Sequence, residues 1–170
     1  MNVFLIAAIT ADGFIGRDDG HTADWTGRED KKVFVELTKR AGTMIMGART
    51  FASIGRALPG RHTIVYTHHQ ERISVLEVET TDEAPAMLIE RLAKSGADEV
   101  AICGGAVIYD MFMQANVVDE LFLTVVPIVF GTGVPLFKSP LDARLELLEQ
   151  TQLADGAILL HYAVQHQDTP

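Results

Sequence analysis

The chain has 170 residues, 48% of them hydrophobic and 22% charged, the size and apolar content of one globular domain rather than of a disordered chain. Its formal net charge of -9 at pH 7 disfavours nucleic acid and anionic membranes as partners, while a small anionic ligand answers to local charge. The single Cys103 has no thiol partner for a disulfide or a zinc site, and the six histidines show no ligand spacing, so a reducing compartment and no metal are expected. The opening "MNVFLIAAIT" lacks a signal peptide's basic start and cleavage context, and no apolar run approaches the ~18 residues of a membrane helix. A cytoplasmic protein follows as the expectation.

"NVFLIAAI", Asn2 to Ile9, is a continuous apolar run that predicts a central strand buried on both faces. "TADGFIGRDDGHTAD" has three glycines and four aspartates without a period, which predicts a long loop. In "TGREDKKVFVELTKRAG", Thr26 or Gly27 stands where a cap belongs and Glu29 and Asp30 suit the positive end of a helix. Val33, Phe34 and Leu37 form its apolar stripe, and Gly42 ends it. "TMIMG" and "HTIVYT" read as strands, "SVLEVE" as an alternating strand, and "TDEAPAMLIERLAKSG" as a capped helix closing at Gly96. "EVAIC" is another buried strand, followed by "AVIYDMFMQAN" as helix and "ELFLTVVPIVF" as a long strand; "LELLEQTQL" and "AILLHYAVQ" form a hairpin around "ADG".

No repeat or linker divides the chain, so residues 1–170 are expected to form a single domain. Strand and helix alternation followed by an antiparallel end predicts an α/β fold, a three-layer αβα sandwich with a mixed, mostly parallel central sheet and a C-terminal antiparallel hairpin. Ligands of such sheets bind at the carboxyl ends of the strands.

Two segments carry the look of phosphate-binding turns. In "IMGARTFASIG" a strand breaks at Gly47 with Arg49 and Thr50 alongside, and in "AICGGAVIY" a buried strand runs through Gly104-Gly105 into a helix. A glycine after a strand is often only a turn. As a pair the two segments favour a dinucleotide, without the G-x-G-x-x-G fingerprint.

"IAAITADGFIG", Trp25, "REDKKVF", "MGARTFASIGRALPGR", "CGGAVIY" and "DELFLT", in this order, resemble dihydrofolate reductase over the first three-quarters of the chain. "VVPIVFGTGVPLF" and "TADGFIG" are closer to the sister family, the reductase domain of riboflavin biosynthesis. The resemblance implies NADPH as cofactor and 7,8-dihydrofolate as substrate, with no nucleic acid or membrane partner, in a monomer or a homodimer. Gly47, Arg49 and Thr50 match positions that meet the NADPH pyrophosphate. Ser53, Ile54 and Leu58 match the wall along the nicotinamide and the substrate's aromatic ring, and Arg61 the arginine that grips the glutamate α-carboxylate. Gly104, Gly105, Ala106, Val107 and Tyr109 match the second cofactor turn, with Tyr109 near the nicotinamide. Ala8, Ile15 and Gly16 fall on the nicotinamide side, where the loop from Ala11 to Asp24 matches a mobile lid; Ile6 lines the substrate pocket.

The resemblance makes Asp30, Trp25 and Thr124 the catalytic group. Asp30 matches the pocket carboxylate that bonds the pterin, with the alternative that it only complements a helix dipole. Thr124 would orient that carboxylate, or is an ordinary β-branched strand residue. Trp25 would report lid closure, or only packs the loop. Ala48 stands where the family often has an arginine against the 2'-phosphate of NADPH, which leaves Arg49, His68 and His69 to select it over NADH, with Thr67 beside them on the cofactor side. Paired exposed histidines are often merely solvated. Lys31 replaces an apolar substrate contact, reaching solvent or an anionic substrate group. Cys103, beside both ligands, reads as a core filler rather than a nucleophile. Two further readings stay open: a reductase of the phosphorylated ribosylaminopyrimidinone of riboflavin synthesis, and an inert NADPH-binding relative.

Overall fold

The computed structural model describes residues 1–166; residues 167–170, which the single-domain reading includes, lie outside the described residues. Strand β1 (Asn2–Thr10) is central in an eight-stranded sheet. Its apolar run has no wet side: Val3, Leu5 and Ala7 enter one core cluster, Phe4 and Ile6 the other. That division is the period-two geometry of a strand covered on both faces.

Around β1 the elements are β3 (Thr43–Gly47), β4 (His62–Tyr66), β5 (Val78–Thr81), β6 (Glu99–Ile102), β7 (Glu120–Val126), β9 (Arg144–Gln152) and β10 (Ile158–Gln165). The spatial order is β5-β4-β3-β6-β1-β7-β10-β9. Pairing is parallel from β5 to β7, and β10 runs antiparallel to both β7 and β9. Helices α1 (Gly27–Ala41) and α2 (Ala48–Ile54) cover one face through Leu37 and Phe51. Helices α3 (Pro85–Lys94) and α4 (Ala106–Gln114) cover the other through Leu88, Leu92, Ile108 and Phe112. The result is the expected αβα sandwich with a mixed sheet and a C-terminal hairpin.

Several local expectations are corrected. The loop from Ala11 to Asp24 contains a short strand, β2 (Phe14–Gly16), paired with β8 (Val134–Pro135). "SVLEVE" becomes strand only from Val78, because Val75 accepts a turn bond from the Val78 N–H and Leu76 points fully into solvent. The strand from Glu120 stops at Val126, before Pro127, which has no N–H to give a ladder. Neither predicted cap is a side-chain cap: the Thr26 hydroxyl donates to the Ala23 carbonyl at 3.2 Å, and α3 opens on Pro85 instead.

Phe112 has no exposed surface and meets Tyr66 edge to face, with ring centroids 5.7 Å apart. Phe112→Ala is expected to cost about 3–5 kcal/mol of stability by urea unfolding; a loss within experimental error would mean that this layer repacks.

Candidate active site

The carboxyl ends of β1, β3 and β6 converge between α1 and α2. Ile6 and Cys103 are buried in one apolar cluster, and Phe34, Ile54, Leu58 and Ala48 pack against it while remaining partly open. Ala8 lies opposite Thr124 in the β1-β7 ladder, and Thr124 retains only 1% exposure. Asp30 is half-buried in the first turn of α1, the helix whose Val33, Phe34 and Leu37 join this apolar cluster. Burial pushes its carboxyl above the ordinary aspartate value, the nearby hydroxyls of Thr26 and Thr124 oppose this, and the charge of Asp155 adds to the rise while Lys31 reduces it. The Thr124 hydroxyl on β7 is thus near the Asp30 carboxyl, while Asp30 also stands with Glu29 in the first turn of α1, where a carboxylate complements the helix dipole.

At the outer end, Arg61 donates from Nη1 to Thr38 Oγ1 at 3.0 Å and from Nε to the Pro59 carbonyl at 3.2 Å. Thr38 is buried and bonds back to the Phe34 carbonyl at 2.7 Å. The guanidinium is therefore oriented from below with donors to spare. Lys31 is exposed on α1, in agreement with the solvent-reaching reading.

The two glycine turns interlock. The Gly47 N–H donates to the Gly104 carbonyl at 2.8 Å, and a Cβ on Gly105 would stand 3.5 Å from Thr50 Oγ1. Gly104 has φ +98, and a Cβ there would come 2.7 Å from the Tyr109 ring, so both backbone conformation and space require glycine. Tyr109 is buried and donates its hydroxyl to the Ile6 carbonyl at 2.7 Å. Burial keeps that hydroxyl protonated, and it likewise pushes the Cys103 thiol far up, which removes Cys103 as a nucleophile. Ala106 is buried at the start of α4, Val107 is exposed beside it, and Ser53 donates to the Thr50 carbonyl at 2.7 Å.

The loop that the resemblance matches to a lid is seated by contacts that the sequence does not reveal. Phe130 gathers Trp25 (centroids 5.1 Å), His21 (5.7 Å) and the Arg17 guanidinium, 4.2 Å from the ring centroid. The Trp25 indole N–H is buried and bonds no protein atom. Asp12 accepts from the Thr10 hydroxyl at 2.6 Å and from the Gly131 N–H at 2.7 Å, which fastens the β7-β8 connection to the lid's base. Gly16 is buried in β2, and Ile15 packs on the cluster shared with α3 and α4. Farther along, Asp19 joins Arg49 at 2.9 Å and Lys138 at 3.5 Å. Lys138 thus stands with Arg49, a cation that the motifs did not indicate.

Past β4, the Thr67 hydroxyl accepts from the His69 N–H at 3.0 Å. His68 and His69 are exposed, with His69 Nδ1 3.4 Å from Glu71. They are not gathered with Asp30, and the carboxylate beside His69 weakens its case as a phosphate ligand.

A family model described as dihydrofolate reductase matches residues 2–152. The Bacillus subtilis (strain 168) uncharacterized protein YwjB is 26% identical over 93% of this chain and 95% of its own. Dihydrofolate reductase type 3 of Salmonella typhimurium is 31% identical over 73% of this chain and 71% of its own. Among solved structures, a putative riboflavin biosynthesis protein from Shewanella sp. PV-4 has TM-score 0.83 at 23% identity, covering 98% of this chain and 100% of that one. Dihydrofolate reductase from Enterococcus faecalis, complexed with NADP(H), has TM-score 0.76 at 23% identity, covering 97% of both chains.

Because folding raises the proton affinity of Asp30, its contribution to stability is fully present below the unfolded-state value and is lost as pH rises through the folded one. Asp30→Asn is therefore expected to be more thermostable than the wild type near pH ~8, with the gap closing below about pH 4. A melting-temperature difference independent of pH would show that Asp30 is not desolvated.

Proposed function

The chain belongs to the dihydrofolate reductase family, and on that premise we propose that it is an NADPH-dependent reductase acting on 7,8-dihydrofolate. Hydride goes to C6 and a proton to N5, giving 5,6,7,8-tetrahydrofolate. The observation that carries the reading is Asp30: one carboxyl of raised proton affinity, next to Thr124, at the edge of an apolar pocket.

The pocket fits the cofactor. Gly47, Gly104 and Gly105 keep side chains out of the place where two turns approach, and Arg49 with Lys138 supplies positive charge beside them. Residues of both turns would hold the dinucleotide, and NADPH bound there supplies the hydride. With Ala48 neutral, the preference for NADPH falls to Arg49 and Lys138 rather than to His68 and His69.

The chain's own residues do the rest. Asp30 holds the pterin amide edge and keeps a proton near N5, which makes the imine carbon a better hydride acceptor. Thr124 orients the carboxyl. Phe34, Ile54 and Leu58 flank the substrate's aromatic ring, and Arg61, steadied by Thr38, binds the glutamate carboxylate as a charge-assisted pair. Trp25 and the lid exclude bulk water when closed. We assign residues 1–170 to one domain acting in the cytoplasm, as a monomer or a homodimer.

A second reading has its own support. The "FGTGVPLF" connection and the Shewanella structure favour a reductase of the phosphorylated ribosylaminopyrimidinone, for which Lys31 would receive the phosphate.

The test is oxidation of NADPH by the purified protein with 7,8-dihydrofolate against a blank without folate. Asp30→Asn is expected to lose at least ~10²-fold in turnover while still binding NADPH. Arg61→Ala is expected to raise KM for dihydrofolate roughly 10-fold or more with a smaller change in kcat, since only one charged contact is lost. Turnover only with the phosphorylated pyrimidinone would establish the second reading, and NADPH binding with neither substrate would make the chain an inert relative.

A further inference from the structure

The turn between β9 and β10 lies against the beginning of α1. It is tied internally: the Leu153 N–H donates to the Ala157 carbonyl at 2.8 Å, and the Gly156 N–H to the Leu153 carbonyl at 3.0 Å. Within it, Asp155 uses Oδ1 to accept the Ala157 N–H at 3.2 Å. Its other oxygen faces α1. A Cβ on Gly27 would come 2.7 Å from Asp155 Oδ2, and Gly27 has φ +90, so the carboxylate reaches the backbone of the helix's first residue because no side chain intervenes.

Asp30 is three residues beyond Gly27 and therefore lies on the same side of the helix, one turn on. Two carboxylates from opposite ends of the chain share this first turn, one exposed and one half-buried. The mechanism above uses Asp30 and leaves Asp155 without a task.

We propose that Asp155 is a positioning residue for the reaction: its carboxylate, brought to the first turn of α1 over the bare backbone of Gly27, sets the charge environment in which Asp30 works one turn on. This rests on the dihydrofolate reading, in which the proton on Asp30 serves N5. The other groups around Asp30 are accounted for. Lys31 on α1 and the hydroxyls of Thr26 and Thr124 favour the ionised carboxylate. Tyr109 on α4 and Cys103 after β6 are held neutral by burial and contribute no charge. Among the described residues, Asp155 is the anion that the fold holds against the backbone of Gly27, one turn before Asp30. A carboxylate at a helix N-terminus also stabilises the helix dipole, a role that makes no demand on Asp30 and so is separable by experiment.

Asp155→Asn keeps the Oδ1 acceptor for Ala157 and removes only the charge. With wild type and variant, dihydrofolate turnover is followed against pH, and the Asp30 carboxyl is titrated by carbon-13 NMR, its signal assigned by its absence in Asp30→Asn. Both midpoints are expected to move to lower pH by about 0.3–0.5 unit, the size of a Coulomb interaction across roughly one helical turn in a largely aqueous surrounding, and less in high salt. Asp155→Glu is expected to restore most of the shift. An Asp30 midpoint unmoved in Asp155→Asn overturns the proposal, even when the melting temperature falls, because the carboxylate then serves the helix alone. A moved Asp30 midpoint in a protein that does not turn over dihydrofolate supports the coupling and overturns the folate reading instead.

Discussion

The hydrogen bond from the Tyr109 hydroxyl to the Ile6 carbonyl joins the parts on which the site depends. Tyr109 is brought there by α4, which starts directly after the Gly104-Gly105 turn, and its ring fills the space a Cβ on Gly104 would need. Ile6 lies on β1, where the sheet divides: β6 and β3 extend to one side, β7 to the other. Connections leaving toward opposite sides open a crevice at the carboxyl ends, the place where ligands of such sheets are bound. One buried phenol thus sets the second glycine turn against the floor of the pocket. It does so at low cost, because a buried hydroxyl with an acceptor is satisfied.

Burial acts differently on Asp30. A carboxyl taken out of water and only partly compensated by two nearby hydroxyls resists ionisation, which lowers the stability of the neutral-pH fold. Arg61 shows the complementary arrangement. Partly buried, it is desolvated enough to be pushed below the ordinary arginine value, while Thr38 and the Pro59 carbonyl fix its direction. The two groups therefore differ in kind: a carboxyl that burial keeps from ionising and a cation held in one direction by its neighbours.

How much of this is legible in the sequence follows from the range of each signal. The two-sided burial of β1, the end of α1 at Gly42 and the "ADG" hairpin are local patterns, and each appears as read. The grouping of Asp30 with Thr124 is visible only through resemblance, since one residue is on a helix and the other on a strand far along the chain. β2 and β8 have three and two residues, too few to show a period, and exist because they pair with each other. The alternation in "SVLEVE" is real, but tertiary pairing with β4 begins only at Val78, and pairing outweighs pattern. Thr26 has a capping residue's chemistry, yet its hydroxyl turns back to Ala23. Lys138 and Asp155 carry no motif; they matter through what the fold sets beside them.

The chain's likeness to two families has a physical division within the molecule. Residues that resemble the folate enzymes, Asp30, Arg61 and the glycine turns, form the cleft itself. The two segments that are closer to the riboflavin reductases, "TADGFIG" and "VVPIVFGTGVPLF", hold each other: Phe130 gathers Trp25 and Arg17 around its ring, Asp12 binds the neighbouring backbone N–H groups, and β8 pairs with β2. These contacts constrain how the lid rests and make no distinction between a pterin and a pyrimidinone. The chemistry of the substrate is read by the groups that face it, and a lid support, shared or not, carries little information about that choice. Trp25 is where the two parts meet, with its ring on Phe130 and its place immediately before α1. Its ring thus links the segment around Phe130 to the start of α1, the helix that carries Asp30.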